Sequence, residues 1–190
     1  MTNPVKLVLE GAAAALGLRP FEAPPYTVLA RLAHGVEVRR YGPRLAAETT
    51  TSAGSEAASR GASFQRLARY IFGANQGGRK IAMTAPVLMQ PEAGGMTMRF
   101  FLPAAITPEA APPPRDSGVR LVELPEETIA ALGYKGRPWP RPPAAESRLR
   151  EALATSAWQP AGAVFGLFYD PPMTPGPLRR NELAVPVTAR

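Results

Sequence analysis

The sequence predicts an α+β fold, one curved antiparallel sheet or barrel with two helices packed on its outside. Three observations carry this. Short extended stretches are punctuated by turns throughout a chain that holds 23 prolines and 17 glycines, residues that break helices and mark turns and edges. Only two segments after the first 25 residues show an apolar stripe at helical spacing. The elements also run strands, helix, strands, a proline loop, then strands, helix, strands, so both halves share one plan and suggest two related βαββ-like units. Separate runs of strands with tight turns argue against a parallel doubly wound sheet.

In chain order, residues 1–25 are an N-terminal helical or extended segment and linker, and residues 26–190 the folded domain. Leu7–Leu18 is apolar but interrupted by Glu10 and Gly11, and too short to span a membrane. It reads as a short helix lying on the domain or on a membrane surface rather than as a signal peptide. Pro20–Pro25 is breaker-rich. Tyr26–Arg31 and Val36–Tyr41 read as strands, and Gly42-Pro43 as a turn before extended Arg44–Thr51. Ser59–Phe72 is the first clear helix, with Ser59 as N-cap, a stripe of Phe64, Leu67, Ala68 and Ile71, and Gly73 to stop it. Lys80–Gln90 and Met96–Leu102 read as strands around a turn at Glu92–Gly95. Pro103–Arg115 is a surface connection. Val119–Leu124 and Thr128–Tyr134 read as strands, and Ala144–Ala154 as the second helix, striped by Ala145, Leu149, Ala152 and Leu153. Ala163–Tyr169 and Leu183–Val187 close the chain around a turn at Asp170–Pro177.

Composition excludes several functions. The 190 residues suit one domain. Net charge is +7, nearly all of it arginine, but no basic run or aromatic stacking motif is present, so the expectation is a solvated basic surface and no nucleic-acid partner. With no cysteine there is no disulfide, thiolate ligand or cysteine nucleophile. One histidine, His34, and two aspartates do not readily supply a zinc site or a Ser-His-Asp triad. The chain is expected to be cytoplasmic, with peripheral membrane contact through the N-terminal segment as an open alternative, and not to be an enzyme.

Three segments look like more than scaffold: Val36-Glu-Val-Arg-Arg-Tyr-Gly-Pro43; Leu67-Ala-Arg-Tyr-Ile-Phe-Gly-Ala-Asn75 followed by Ile81-Ala-Met-Thr-Ala-Pro-Val87; and Tyr169-Asp-Pro-Pro-Met-Thr-Pro175 followed by Arg179-Arg-Asn-Glu182. In this order around two helices, over about Tyr26 to Val187, they resemble the SOUL family of heme-binding proteins, here a bacterial member. The resemblance implies a distorted antiparallel β-barrel with two flanking helices and an internal twofold repeat, similar to small-molecule effector domains of bacterial transcription regulators. It also implies a ligand, heme or another porphyrin, in a shallow apolar groove between the first helix and the loop Asp170–Pro175.

A porphyrin presents two broad apolar faces and a pair of propionates, so its groove needs flat apolar contacts and one or two cations at the edge. The candidates are Phe64, Leu67 and Ala68 on the helix, Arg60 or Arg69 at the rim, and Met173 and Tyr169 at the loop. Arg69 matches a lysine in the family's first helix, whereas the helical wheel favours Arg60. Bland readings stand beside these. The helix stripe packs on the sheet in any case, Met83 and Met89 fill the core, Asp170-Pro-Pro is a turn, and Arg179–Glu182 is a structural polar cluster. Glu37 with Arg39 reads as ordinary exposed-face pairing. One departure matters: the family's axial histidine, in Glu-Ile-Arg-His-Tyr-Gly, aligns with Arg40, which has no lone pair to give iron. His34 remains a weak metal candidate, and the expectation is porphyrin binding without a histidine axial ligand. The competing readings are an effector-binding or protein-interaction module for another hydrophobic ligand and, weakest, an enzyme acting on a tetrapyrrole or ester.

Overall fold

Successive side chains of a strand point to opposite faces, so one apolar sequence can serve two cores at once. The last strand does this: Leu183, Val185 and Val187 enter one cluster while Ala184 enters another. The computed structural model describes residues 21–92, 95–137, 141–171 and 174–190. The expected helix at Leu7–Leu18 lies outside them, as do Pro172 and Met173 of the expected turn.

Ten strands and two helices are described: β1 (Tyr26–Arg31), β2 (Glu37–Tyr41), β3 (Arg44–Thr51), α1 (Glu56–Ile71), β4 (Val87–Glu92), β5 (Gly95–Phe101), β6 (Arg120–Leu124), β7 (Glu127–Tyr134), α2 (Pro143–Ala154), β8 (Trp158–Pro160), β9 (Phe165–Phe168) and β10 (Asn181–Ala189). The strands form one antiparallel sheet in the order β1-β2-β7-β10-β9-β4-β5-β3-β6, with β8 added beside the end of β10. It curls into a half-barrel whose edges are β1 and β6.

This order contains the expected internal repeat. About the β9–β4 contact, β10 matches β5, β7 matches β3, and β2 matches β6, with α1 between β3 and β4 and α2 between β7 and β9. The halves exchange a strand: β2 pairs with β7, and β6 pairs with β3. The short links after β2 and β6 therefore cross at one end of the sheet. There Arg44 donates from Nη2 to Glu127 at 2.7 Å and stacks over Tyr41 and Phe101.

The core has three parts. On one face α1 lays Leu67, Tyr70 and Ile71 on Ala47, Met98 and Phe100. Also on that face, α2 lays Leu149, Ala152 and Leu153 on Val38, Leu132 and Leu183. The opposite, inner face gathers Phe101, Ile129, Phe165, Leu167 and Tyr169 from strands far apart in the sheet, which is why the sheet curls around it.

Most elements fall where the periodicity puts them, with four corrections. The N-cap of α1 is Ser55, whose hydroxyl accepts from the Ala58 amide, while Ser59 is buried and accepts from Ala53. No strand starts at Lys80. Ala85 donates instead to the Glu22 carbonyl and the Thr84 hydroxyl to the Phe101 carbonyl, and Pro86 has no N–H for a ladder, so β4 begins at Val87. The last hairpin gains β8, which has no alternating pattern to betray it. Arg39 is not on an exposed face but is 5% exposed, for reasons given below. Gly73 ends α1 as expected, at a φ of +116° that suits glycine alone.

Leu149 is fully buried between α2 and the sheet. Leu149→Ala should lower the free energy of unfolding by about 2–5 kcal/mol in urea denaturation, the usual cost of such a cavity.

Candidate functional site

Three positions on α1 and the residue that caps it, spaced by four, form one ridge. Because four residues advance about 40° beyond a full turn, the ridge Arg60, Phe64, Ala68, Phe72 rotates from the sheet toward solvent along the helix. Phe64 is half-buried and meets Phe100 edge-on at 5.4 Å, Ala68 is half-buried, and Phe72, just past the helix, is 45% exposed. Leu67 lies on the inner side of this ridge at 0% exposure and supports the helix from beneath.

The two candidate rim arginines differ. Arg60 is 3.8 Å from Glu56 one turn back. Arg69 is exposed, with no ion-pair partner among the described residues. Arg66 is turned away, held by Asp116 at 3.1 Å. The end of α1 and the start of the 170–175 loop lie at the same end of the sheet. Ile81 donates to the Ile71 carbonyl at 2.8 Å, and β4 then begins at Val87 directly opposite Phe168, where β9 ends.

Tyr169 belongs to the inner face, not to the α1 cluster. Its hydroxyl donates to Glu182 at 2.7 Å. Glu182, 2% exposed, also accepts from Arg39 at 2.8 and 3.2 Å and from Arg180 at 2.6 and 3.2 Å. Arg39 stacks over Tyr26 and holds Glu37 at 2.9 Å, and Arg180 stacks over Tyr169. Burial pushes the Glu182 carboxyl upward, but the hydrogen bonds and charge of Arg39, then Arg180 and Tyr169, outweigh it and hold the group below its ordinary 4.5. Burial, then the negative charge of Glu182, pushes the Tyr169 phenol well above 10. The expected polar cluster at Arg179–Glu182 is thus real, and Asn181 and Arg179 extend it to the Gly136 and Thr174 carbonyls. The sequence misses Arg39 because its partner stands 143 positions away on a strand that is not its neighbour. Phe72 could have been found from the spacing of 64, 68 and 72.

The donors available to iron can be placed one by one. His34 sits in a turn at φ +60° with Nε2 3.2 Å from Glu151 of α2, in the half of the sheet that does not carry α1. Tyr169 is held protonated against Glu182, whereas a tyrosine ligand must give up its proton. Met83 and Met89 pack against the α1 cluster. Arg40 is exposed. Met173 lies outside the described residues. Phe64 and Ala68 are thus half-buried against the sheet, Phe72 and Arg69 are exposed at the C-terminal end of α1, and His34 and Tyr169 are both engaged elsewhere.

Known proteins give a consistent picture. The sequence profile of the SOUL heme-binding proteins matches residues 21–186. No curated protein matches. Among solved structures, the C-terminal domain of EcmrR superposes with a TM-score of 0.64 at 10% identity, covering 84% of this chain and 100% of that one. EcmrR in a complex with DNA gives 0.62 at 11%, covering 82% of this chain and 57% of EcmrR. A protein described as a hydrolase from Listeria innocua gives 0.62 at 13%, covering 84% and 94%. At such identities the likeness concerns the fold alone. Among the described residues no helix is long and apolar enough to cross a membrane.

The Glu182 cluster sets a pH dependence with two limbs. Glu182 titrates lower folded than unfolded, so its contribution is present above about pH 4.5 and is lost as pH falls through the folded value. Tyr169 titrates higher folded than unfolded, so above about pH 10 the unfolded chain ionises first and stability declines. Glu182→Gln should cost about 3–5 kcal/mol at neutral pH, because Arg39 and Arg180 lose the buried carboxylate they share and Arg39 keeps only Glu37. Urea midpoints across pH should show its acid limb flattened, and Tyr169→Phe should soften the alkaline limb.

Proposed function

The chain belongs to the SOUL family of heme-binding proteins, and from that premise we propose that it binds heme or a related tetrapyrrole face-on against the outer side of α1, for transport, buffering or sensing rather than catalysis. The observation that carries this reading is the family match over residues 21–186. The α1 ridge supports the place: Phe64, Ala68 and Phe72 offer apolar contact, Arg69 offers a free guanidinium to a propionate, and Arg60 stands one turn or more away along the same helix. Leu67 acts by holding the helix to the sheet. Met173, outside the described residues, is kept as a proposed contact from the sequence alone, and Tyr169 anchors the start of its loop from within. A bound heme would supply a Lewis-acidic iron and, through its macrocycle, a Soret chromophore. The protein would hold the macrocycle by apolar burial and arginine–carboxylate pairing, without His34 as axial ligand. Binding rather than turnover is favoured because both buried carboxylates among the described residues have their oxygens filled, Glu182 by Arg39, Arg180 and Tyr169 and Glu48 by Arg99 and Arg120.

Titration with hemin and with metal-free protoporphyrin tests this. Both should bind saturably and with similar modest affinity, and His34→Ala should leave the hemin spectrum unchanged. Phe72→Glu should weaken both ligands about tenfold or more, as placing a charge on an apolar contact implies, and Arg69→Glu should weaken both to a lesser degree. Binding of hemin alone, abolished in His34→Ala, would show an iron ligand and defeat the proposal.

A further inference from the structure

Where the two strand exchanges cross, the sheet end does not close tightly. A cavity of about 380 Å³ remains between residues 22–25, the Pro43–Leu45 corner, Phe101–Pro108 and the end of β6. Its volume lies in the range of small-molecule sites. Pro24, Pro25, Pro43, Pro103 and Pro108 stand around it, so its walls are stiff before any ligand arrives, and Leu45, Phe101, Leu102, Ile106 and Leu124 make it largely apolar. It is separate from the α1 ridge, none of whose four residues lines it.

The charged groups in the wall define what fits. Arg44 is 10% exposed in its side chain and is balanced by Glu127 at 2.7 Å, yet its Nε–H is buried with no acceptor. A buried donor left unmade costs free energy, and it favours an arrangement in which an acceptor is brought to it. Glu22 is engaged through Oε1 with the Ala104 amide at 2.7 Å, and Glu123 is exposed. The Thr84 hydroxyl already donates to the Phe101 carbonyl. With Arg44 neutralised and two further carboxylates at the wall, an anion is repelled, and a cation would sit against the guanidinium. We infer that this cavity is a second ligand site, which takes a small uncharged, mostly apolar molecule carrying one acceptor oxygen for Arg44.

The test compares two probes of like shape, 2-acetylnaphthalene, which carries a ketone oxygen, and 2-ethylnaphthalene, which does not. Calorimetry or ligand-observed NMR on the full chain should show the ketone binding about tenfold tighter than the hydrocarbon, the usual worth of a hydrogen bond from a charged donor. Arg44→Lys keeps a cation for Glu127 but removes Nε, and it should reduce the ketone to the level of the hydrocarbon. Ala104→Trp, at an exposed rim position, should block both probes without touching the core. Hemin binding should be unchanged in both variants. The inference is overturned if wild type binds neither probe, if the two bind equally, or if Ala104→Trp leaves ketone binding intact. Loss of hemin binding in the same variants would place both ligands in one site and also overturn it.

Discussion

A carboxylate taken out of water must be matched in charge and in hydrogen bonds, or it costs several kcal/mol. Glu182 meets this demand with groups from three places: Arg39 on β2, Arg180 beside it, and Tyr169 where β9 ends. These groups stand at the inner face of the curled sheet, beside the apolar cluster to which the Tyr169 ring belongs. The cluster around Glu182 also fixes the start of the 170–175 loop. Asp170 accepts from the Arg180 amide, and the Tyr169 amide donates to the Arg180 carbonyl. Replacing the whole cluster with apolar residues could leave the fold as stable. Removing Glu182 alone takes the shared acceptor from Arg39, Arg180 and Tyr169 at once and leaves Arg39 with Glu37 only, which makes it the costly member to lose.

The same inner face explains how the helices are placed. With the inner side filled by Phe101, Ile129, Phe165 and Leu167, the alternate residues of each strand are forced outward, and two apolar strips result. Each is covered by one helix. α1 and α2 therefore stand at positions related by the internal repeat, but they are not equivalent. α2 ends its stripe in the core with Leu149, Ala152 and Leu153, whereas the ridge on α1 drifts outward to end at exposed Phe72. The two halves thus differ in where they leave apolar side chains open: Phe72 at the end of α1 in one, and Tyr26, Val28 and Leu29 on the edge strand β1 in the other.

Much of this was legible from the residues. Both helices, the two-part order and the antiparallel sheet followed from periods of 3.6 and 2 and from glycine and proline punctuation, which act locally. The strand exchange was not legible, because nothing in β2 or β6 says which half it will join. Arg39 was read as a surface residue for the same reason: its spacing to Glu37 is local, while its spacing to Glu182 exists only once β10 lies beside β7. Lys80–Pro86 read as strand because its residues suit one, yet Thr84 and Ala85 bond elsewhere. At the site, Phe64 and Ala68 were found together with Leu67, but which of them face solvent depends on how α1 rolls on the sheet.

The central claim is that a tetrapyrrole is held on the outer side of α1 by apolar contact and arginine. The most direct measurement is a set of backbone amide chemical shifts for isotope-labelled protein titrated with metal-free protoporphyrin, which carries no paramagnetic iron. The account predicts ring-current shifts concentrated at residues 60–72 and 170–176, with little change at His34 or around Arg44. Shifts centred on the Arg44 cavity or on His34, with α1 unmoved, would contradict it.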